Sequence, residues 1–171
     1  GQIRPFVLID KEMNDQTCIN GFSVNIQRIT KNKILFSAQH IFIYDIVTRK
    51  FDIVATMGKE YERQSPLIIA TVGTKTYLSD LKNICEYDSS EGTFKTIYQG
   101  QHIINDASMD KDGVFWLAST EGLLRYDPRT GKSELIQTSL FQDVASVVAD
   151  NQYRIWIGTR RHLFVYSSHT H

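Results

Sequence analysis

The sequence predicts an all-β fold assembled from about four copies of one unit of four short antiparallel strands. Three observations carry this expectation. Apolar and aromatic runs of strand length recur along the chain, separated by turns of Gly, Pro, Asp and Asn. Tyr44, Tyr87, Tyr126 and Tyr166 fall 43, 39 and 40 residues apart. No stretch combines helical apolar spacing with end caps, which removes solenoids built from helix pairs.

The best-formed unit contains residues 115–136, FWLASTEGLLRYDPRTGKSELI. Residues 115–118 form one strand, Glu121-Gly122 a turn and 123–126 a second strand. The Asp127-Pro128-Arg129-Thr130-Gly131 turn then leads to a third at 132–136.

From the beginning, residues 3–9 are a lone strand candidate, with Pro5 suited to an edge or a strand start because it lacks an N–H. Residues 10–21 are polar and loop-like. Residues 22–30 alternate through Phe22, Val24 and Ile26 as a strand, followed by 34–36, 41–44 and 51–55. The second round has strands at 67–72, 76–79, 84–87 and 93–98. The third has 103–109 ahead of the unit above, and the last has 144–149, 154–158 and 163–166 but no fourth strand.

Subtraction sharpens the register. Ten positions before each repeated tyrosine stands Ile34, Tyr77, Trp116 or Trp156, and three further on stands Ser37, Asp80, Ser119 or Thr159. Asp45, Asp88 and Asp127 follow three of the four tyrosines. A repeat of roughly 40 residues holding four short strands is the signature of β-propeller blades. The expected blades cover 22–57, 65–99, 101–138 and 142–168. Residues 3–9 either close the last blade in a small ring or belong to a blade of a larger one.

Length and charge bound the function. At 171 residues one domain with a real core is expected. Nineteen basic and 19 acidic residues cancel, leaving no basic field for nucleic acid or an anionic membrane. No run approaches a membrane span, so a membrane link would run only through flanking segments. The chain begins Gly1-Gln2-Ile3-Arg4 without Met, which reads as an excised piece of something longer. Cys18 and Cys85 lack metal-ligand spacing; one disulfide or two free thiols both remain open.

The run Trp116-Leu117-Ala118-Ser119-Thr120-Glu121-Gly122-Leu123-Leu124-Arg125-Tyr126-Asp127 resembles the "WIGT…GL…YD" pattern of two-component regulator propeller repeats. Ile155-Trp156-Ile157-Gly158-Thr159 with Leu163-Phe164-Val165-Tyr166 is a second match, in which Arg161-His162 replaces the glycine turn and Ser167 the aspartate. Asp110 and Asp150, each six positions before its Trp, fit the family's acidic position. The first two rounds depart from the pattern and lack both the Trp and the Gly-Leu. The resemblance implies a periplasmic sensor region of a Bacteroidetes hybrid two-component protein. Such regions often respond to oligosaccharides from glycan breakdown, and they precede a membrane segment and a histidine kinase.

Catalytic motifs are missing: there is no phosphate loop, HExxH, Gly-x-Ser-x-Gly or CxxC, and no catalytic residue, cofactor or metal is expected. His169 and His171 sit in a polar tail. Asp110-x-Asp112-Gly113 reads as a hairpin turn, and with Ser108 and Trp116 partly resembles an Asp-box. The aromatic residues in register read as packing between blades.

In a propeller, the loops joining second to third strands gather on one face with those leading to the next blade. Here they carry His40, Lys82, Asn83, His102, Asn105, Asp106, Glu121, Arg160, Arg161 and His162. Paired arginines suit carboxylates or acidic sugars, and Asn, Asp and His suit hydroxyls. The expected function is a non-catalytic sensor segment whose partners are an oligosaccharide and either neighbouring blades or a second copy. Two alternatives stand beside it: a lyase-type propeller using His40, His102 and His162 around a metal, and a protein-binding scaffold.

Overall fold

The computed structural model describes residues 25–37, 40–56, 66–136 and 143–168, without the side chains of residues 40, 55 and 56. The strand expected at 3–9, Cys18, the turn at 38–39 and the terminal histidines lie outside the described residues. Fifteen strands follow one another: β1 (Asn25–Arg28), β2 (Lys33–Ser37), β3 (His40–Asp45), β4 (Lys50–Thr56), β5 (Leu67–Val72), β6 (Lys75–Asp80), β7 (Asn83–Asp88), β8 (Thr93–Gln99), β9 (Ile104–Met109), β10 (Phe115–Ser119), β11 (Gly122–Asp127), β12 (Lys132–Ile136), β13 (Val144–Ala149), β14 (Arg154–Thr159) and β15 (Leu163–Ser167). Among the described residues there is no helix.

The strands form four antiparallel meanders, β1–β4, β5–β8, β9–β12 and the three-stranded β13–β15. Their first strands lie side by side, so the fold is a β-propeller arc of four blades. Alternation gives each blade two apolar faces, which only a neighbouring blade can bury. Phe115, Leu117, Leu124 and Tyr126 of the third blade pack with Ile84 and Tyr77 of the second. On its opposite face, Trp116, Ala118 and Leu123 pack with Val147, Ile155 and Ile157 of the fourth. Leu35, Ile41 and Ile43 of the first blade meet Leu78 and Tyr87 of the second. Rings meet across blades: Trp116 and Tyr166 lie 5.7 Å apart, and Tyr98 and Tyr126 4.8 Å apart.

The repeated aspartates are turn-makers. The carboxylate of Asp45 accepts from the Val47 and Thr48 N–H groups, that of Asp88 from Ser90 N–H, and that of Asp127 from Arg129 N–H. Each such turn ends in a residue whose N–H reaches back to the aspartate carbonyl: Arg49, Gly92 and Gly131. All three have positive φ, which glycine adopts without strain and Arg49 does not.

Asp110 and Asp150 act earlier in their blades. Trp116 Nε1 donates to Asp110 Oδ2 at 2.9 Å, while Val114 and Asp112 N–H groups donate to Oδ1. Trp156 Nε1 donates to Asp150 Oδ2 at 3.0 Å, beside Arg154 Nε at 2.7 Å. The partial Asp-box is therefore a structural unit that ties a turn to the tryptophan of the next strand.

One register expectation is corrected. Phe115, Ile155, Thr76 and Ile34 stand opposite their tyrosines, which puts Leu35, not Ile34, at the position of Trp116. Three residues separate the paired Ser37 and Ile41, but four separate Ala118 and Leu123. The shorter hairpin of the first blade shifts the count by one.

Candidate functional site

The connections expected to share a face are held together by hydrogen bonds. Gly100 N–H donates to Lys82 O at 3.0 Å and Ile104 N–H to Leu81 O at 2.6 Å, pinning the β8–β9 connection onto the β6–β7 hairpin. Asp143 N–H donates to Thr120 O at 3.2 Å, and its carboxylate lies 3.3 Å from Arg160 Nε. Asp143 thus links the β10–β11 and β14–β15 hairpins. Gly100 is sterically required, because a Cβ there would meet Lys82 O at 2.6 Å and the Tyr98 ring at 2.7 Å.

In the second, third and fourth blades the hairpin is closed by the small or acidic residue of the repeat, whereas Ser37 of the first donates instead to Pro66 O. Ser119 Oγ donates to Gly122 O, Thr159 Oγ1 donates to His162 O, and Asp80 Oδ1 accepts from both N and Nδ2 of Asn83. Asn83 is thereby occupied in its own turn. Beneath it lies Cys85, a buried free thiol 3.7 Å from Asp80 Oδ2. Burial, reinforced by the Asp80 charge, pushes its pKa up to about 12.

Two of the sequence candidates have inter-blade duties. Asn105 Nδ2 donates to Val144 O at 2.8 Å. Asp106 accepts from Val147 N–H at 3.0 Å through Oδ2 and from Ala107 N–H through Oδ1. With Ser108 Oγ, which accepts from Ala149 N–H, they bind β9 to β13. Lys82, Glu121, Arg160, Arg161 and His162 are exposed, and His102 is half-buried. The His162 ring lies 5.8 Å from that of Phe164. His40 opens β3, with its side chain outside the described residues.

The face therefore presents a guanidinium pair, an imidazole, an ammonium and a carboxylate on a hydrogen-bonded platform. These groups can donate to and accept from hydroxyls and carboxylates. Asp143, named in the sequence only as part of a connection, joins the set through Arg160. Among the described residues no three His, Cys, Asp or Glu side chains gather to hold a metal ion.

No protein-family model matches the sequence, and no curated protein resembles it in sequence. Solved structures do resemble the fold. The extracellular domain of the hybrid two-component system BT4673 from B. thetaiotaomicron superposes with a TM-score of 0.67 at 17% identity, covering 87% of this chain and 22% of that one. The extracellular domain of BT3049 from the same organism also has a TM-score of 0.67 at 17% identity, with 94% and 24% covered. The WD40 β-propeller domain of Doa1 has a TM-score of 0.65 at 14% identity, with 84% and 49% covered. The chain spans less than a quarter of the length of the two bacterial domains. Its fold is that of the β-propellers in the extracellular domains of hybrid two-component systems.

Proposed function

We propose that this chain is a non-catalytic ligand-recognition segment in the periplasmic sensor region of a hybrid two-component protein. It responds to glycan-derived oligosaccharides and signals to a histidine kinase outside the chain. The observation that carries the reading is the hydrogen-bonded face joining the β6–β7, β10–β11 and β14–β15 hairpins to the inter-blade connections. It displays Lys82, Glu121, Arg160, Arg161 and His162 to solvent on a rigid scaffold. The fold shared with extracellular domains of hybrid two-component systems supports the sensor role.

The mechanism follows from the side chains. Arg160 and Arg161 supply planar donors for a sugar carboxylate or vicinal hydroxyls, and Glu121 and Asp143 supply acceptors. A ligand spanning two hairpins would bias the angle between their blades and pass that change along the array.

The test is calorimetric titration of neutral and acidic oligosaccharides into the wild type and the Arg160→Ala/Arg161→Ala variant. Binding by the wild type and at least a tenfold loss in the variant is expected, since about 1.4 kcal/mol corresponds to tenfold. Unchanged affinity in the variant would remove the site, and no binding of any oligosaccharide would remove the ligand class.

A further inference from the structure

Nineteen basic and 19 acidic residues cancel over the whole chain, but the fold does not spread them evenly. The β1–β2 and β3–β4 turns of the first blade lie side by side, since Ile46 N–H donates to Asn32 O at 2.8 Å. Their corner collects Arg28, Lys31, Lys33, Arg49 and Lys50. Asp45, the one carboxylate in residues 28–33 and 45–50, uses its Oδ1 on the Val47 and Thr48 N–H groups. The next acid, Asp52, acts on Tyr87 of the second blade. Between the cations the tip is apolar: Ile46 and Val47 are 41% and 68% exposed.

The same turn occurs twice more and needs none of this. Asp45-Ile46-Val47-Thr48-Arg49 in the first blade corresponds to Asp88-Ser89-Ser90-Glu91-Gly92 and Asp127-Pro128-Arg129-Thr130-Gly131. In all three the aspartate carboxylate caps the turn, and the fifth residue donates its N–H back to the aspartate carbonyl. The later copies hold this backbone with glycine at the positive-φ position and without exposed aliphatic residues at the tip. The first keeps two such residues and holds Arg49 at a φ of 57°. Strain retained where the same turn accepts glycine points to a task for the side chain. The excess of cations is local too. The second turn carries Glu91, and in the third Arg129 is paired with Asp127 at 3.1 Å.

We propose that this corner docks on an anionic phospholipid surface. Ile46 and Val47 enter the headgroup layer, and the surrounding Lys and Arg side chains meet lipid phosphates. Exposed aliphatic residues rimmed by cations have the chemistry of interfacial membrane binding. Residues 30–32 and 46–50 are all exposed, so the corner projects and suits a broad surface, not an inserted peptide. It lies at the end of the blade opposite the β2–β3 hairpin. Docking there leaves the candidate ligand face turned away from the membrane.

The experiment sediments the 171-residue chain with phospholipid vesicles. Binding to phosphatidylcholine vesicles that contain phosphatidylglycerol is expected, absent on phosphatidylcholine alone and weakened by added salt. No binding to the anionic vesicles overturns the proposal. Two variants probe the corner: Ile46→Ser/Val47→Ser, which borrows the residues of the second blade, and Lys31→Gln/Arg49→Gly. Each is expected to lower vesicle affinity by roughly tenfold or more, and circular dichroism checks that both keep the sheet signal. The Arg160→Ala/Arg161→Ala variant is altered on the opposite face and should bind vesicles as the wild type does, whatever becomes of its oligosaccharide binding. An equal loss in that variant would mean diffuse charge attraction and overturn the corner as the site. Wild-type affinity in Ile46→Ser/Val47→Ser would overturn insertion of the tip. Retention on immobilised polyaspartate without vesicle binding would assign the corner to an acidic polypeptide and overturn the lipid surface.

Discussion

Lys111 in the third blade places its Nζ 3.5 Å from the centroid of the Tyr153 ring in the fourth. The same ammonium donates to Asn151 O at 3.3 Å. Tyr153 holds a φ of 61°, at the turn position where the third blade has Gly113 with a φ of 78°. A strained side chain is thus kept where glycine would be easier, and it is the one that receives the neighbouring cation. Lys111→Ala should lower stability by about 0.5–1 kcal/mol, the usual worth of an exposed cation–π contact. A double-mutant cycle with Tyr153→Gly should give a coupling of about 0.5 kcal/mol, measured by urea unfolding. Zero coupling would mean that the ring and the ammonium do not interact.

Asp110 accepts from three donors, two of them main-chain N–H groups and the third Trp116 Nε1. Asp110→Ala strands these donors in a buried setting and should cost about 2–3 kcal/mol. Asp110→Asn keeps one acceptor oxygen and should cost less. Denaturant midpoints order the two variants, and the emission of Trp116 should shift in both; equal losses would count against the tryptophan bond.

Arg49 is exposed and has a φ of 57°, while Gly92 and Gly131 stand at the same turn position. Arg49→Gly removes the left-handed strain and should raise stability by about 0.5 kcal/mol, net of the added freedom of the unfolded chain. A fall in the melting temperature would show that the arginine makes a compensating contact.

Acid should loosen the turns first. The Arg129 guanidinium holds Asp127 below the ordinary aspartate value of 3.8, the Ser90 hydroxyl does the same for Asp88, and the Thr48 N–H for Asp45. Asp150 is held lower still, chiefly by Trp156 Nε1. Carboxylates with depressed folded-state values contribute stability above the unfolded value and lose it as pH falls through the folded one. Stability should therefore be level near neutrality and decline below about pH 4. Asp127→Asn should flatten part of that decline, as followed by circular dichroism against pH; an unchanged slope would place the titration elsewhere.

Much of the fold was legible because the same chemistry recurs. Tyr126 and Trp116 mark the two faces of a blade, and Asp127 marks a turn wherever it follows the tyrosine. In blade one the sequence count is off by a residue, because counting from Tyr44 cannot see a hairpin shortened by one between Ser37 and Ile41. The candidate face was less legible. Asn105 and Asp106 have the composition of a polar ligand loop, yet their partners are Val144 and Val147, on the next blade. Side-chain type does not reveal whether a donor is already spoken for. The spacing does carry a trace, since these partners lie 39 and 41 residues away, one repeat along.

The ties from Asn105, Asp106 and Ser108 to the next inner strand also bear on how such a chain changes over evolution. Each blade is docked on its predecessor by contacts that lie one repeat away, and no described apolar cluster skips a blade. Duplicating or deleting one complete unit would recreate the same junctions, whereas inserting half a unit would break two. Blade number is therefore cheap to alter by recombination, while the chemistry at each seam is held fixed.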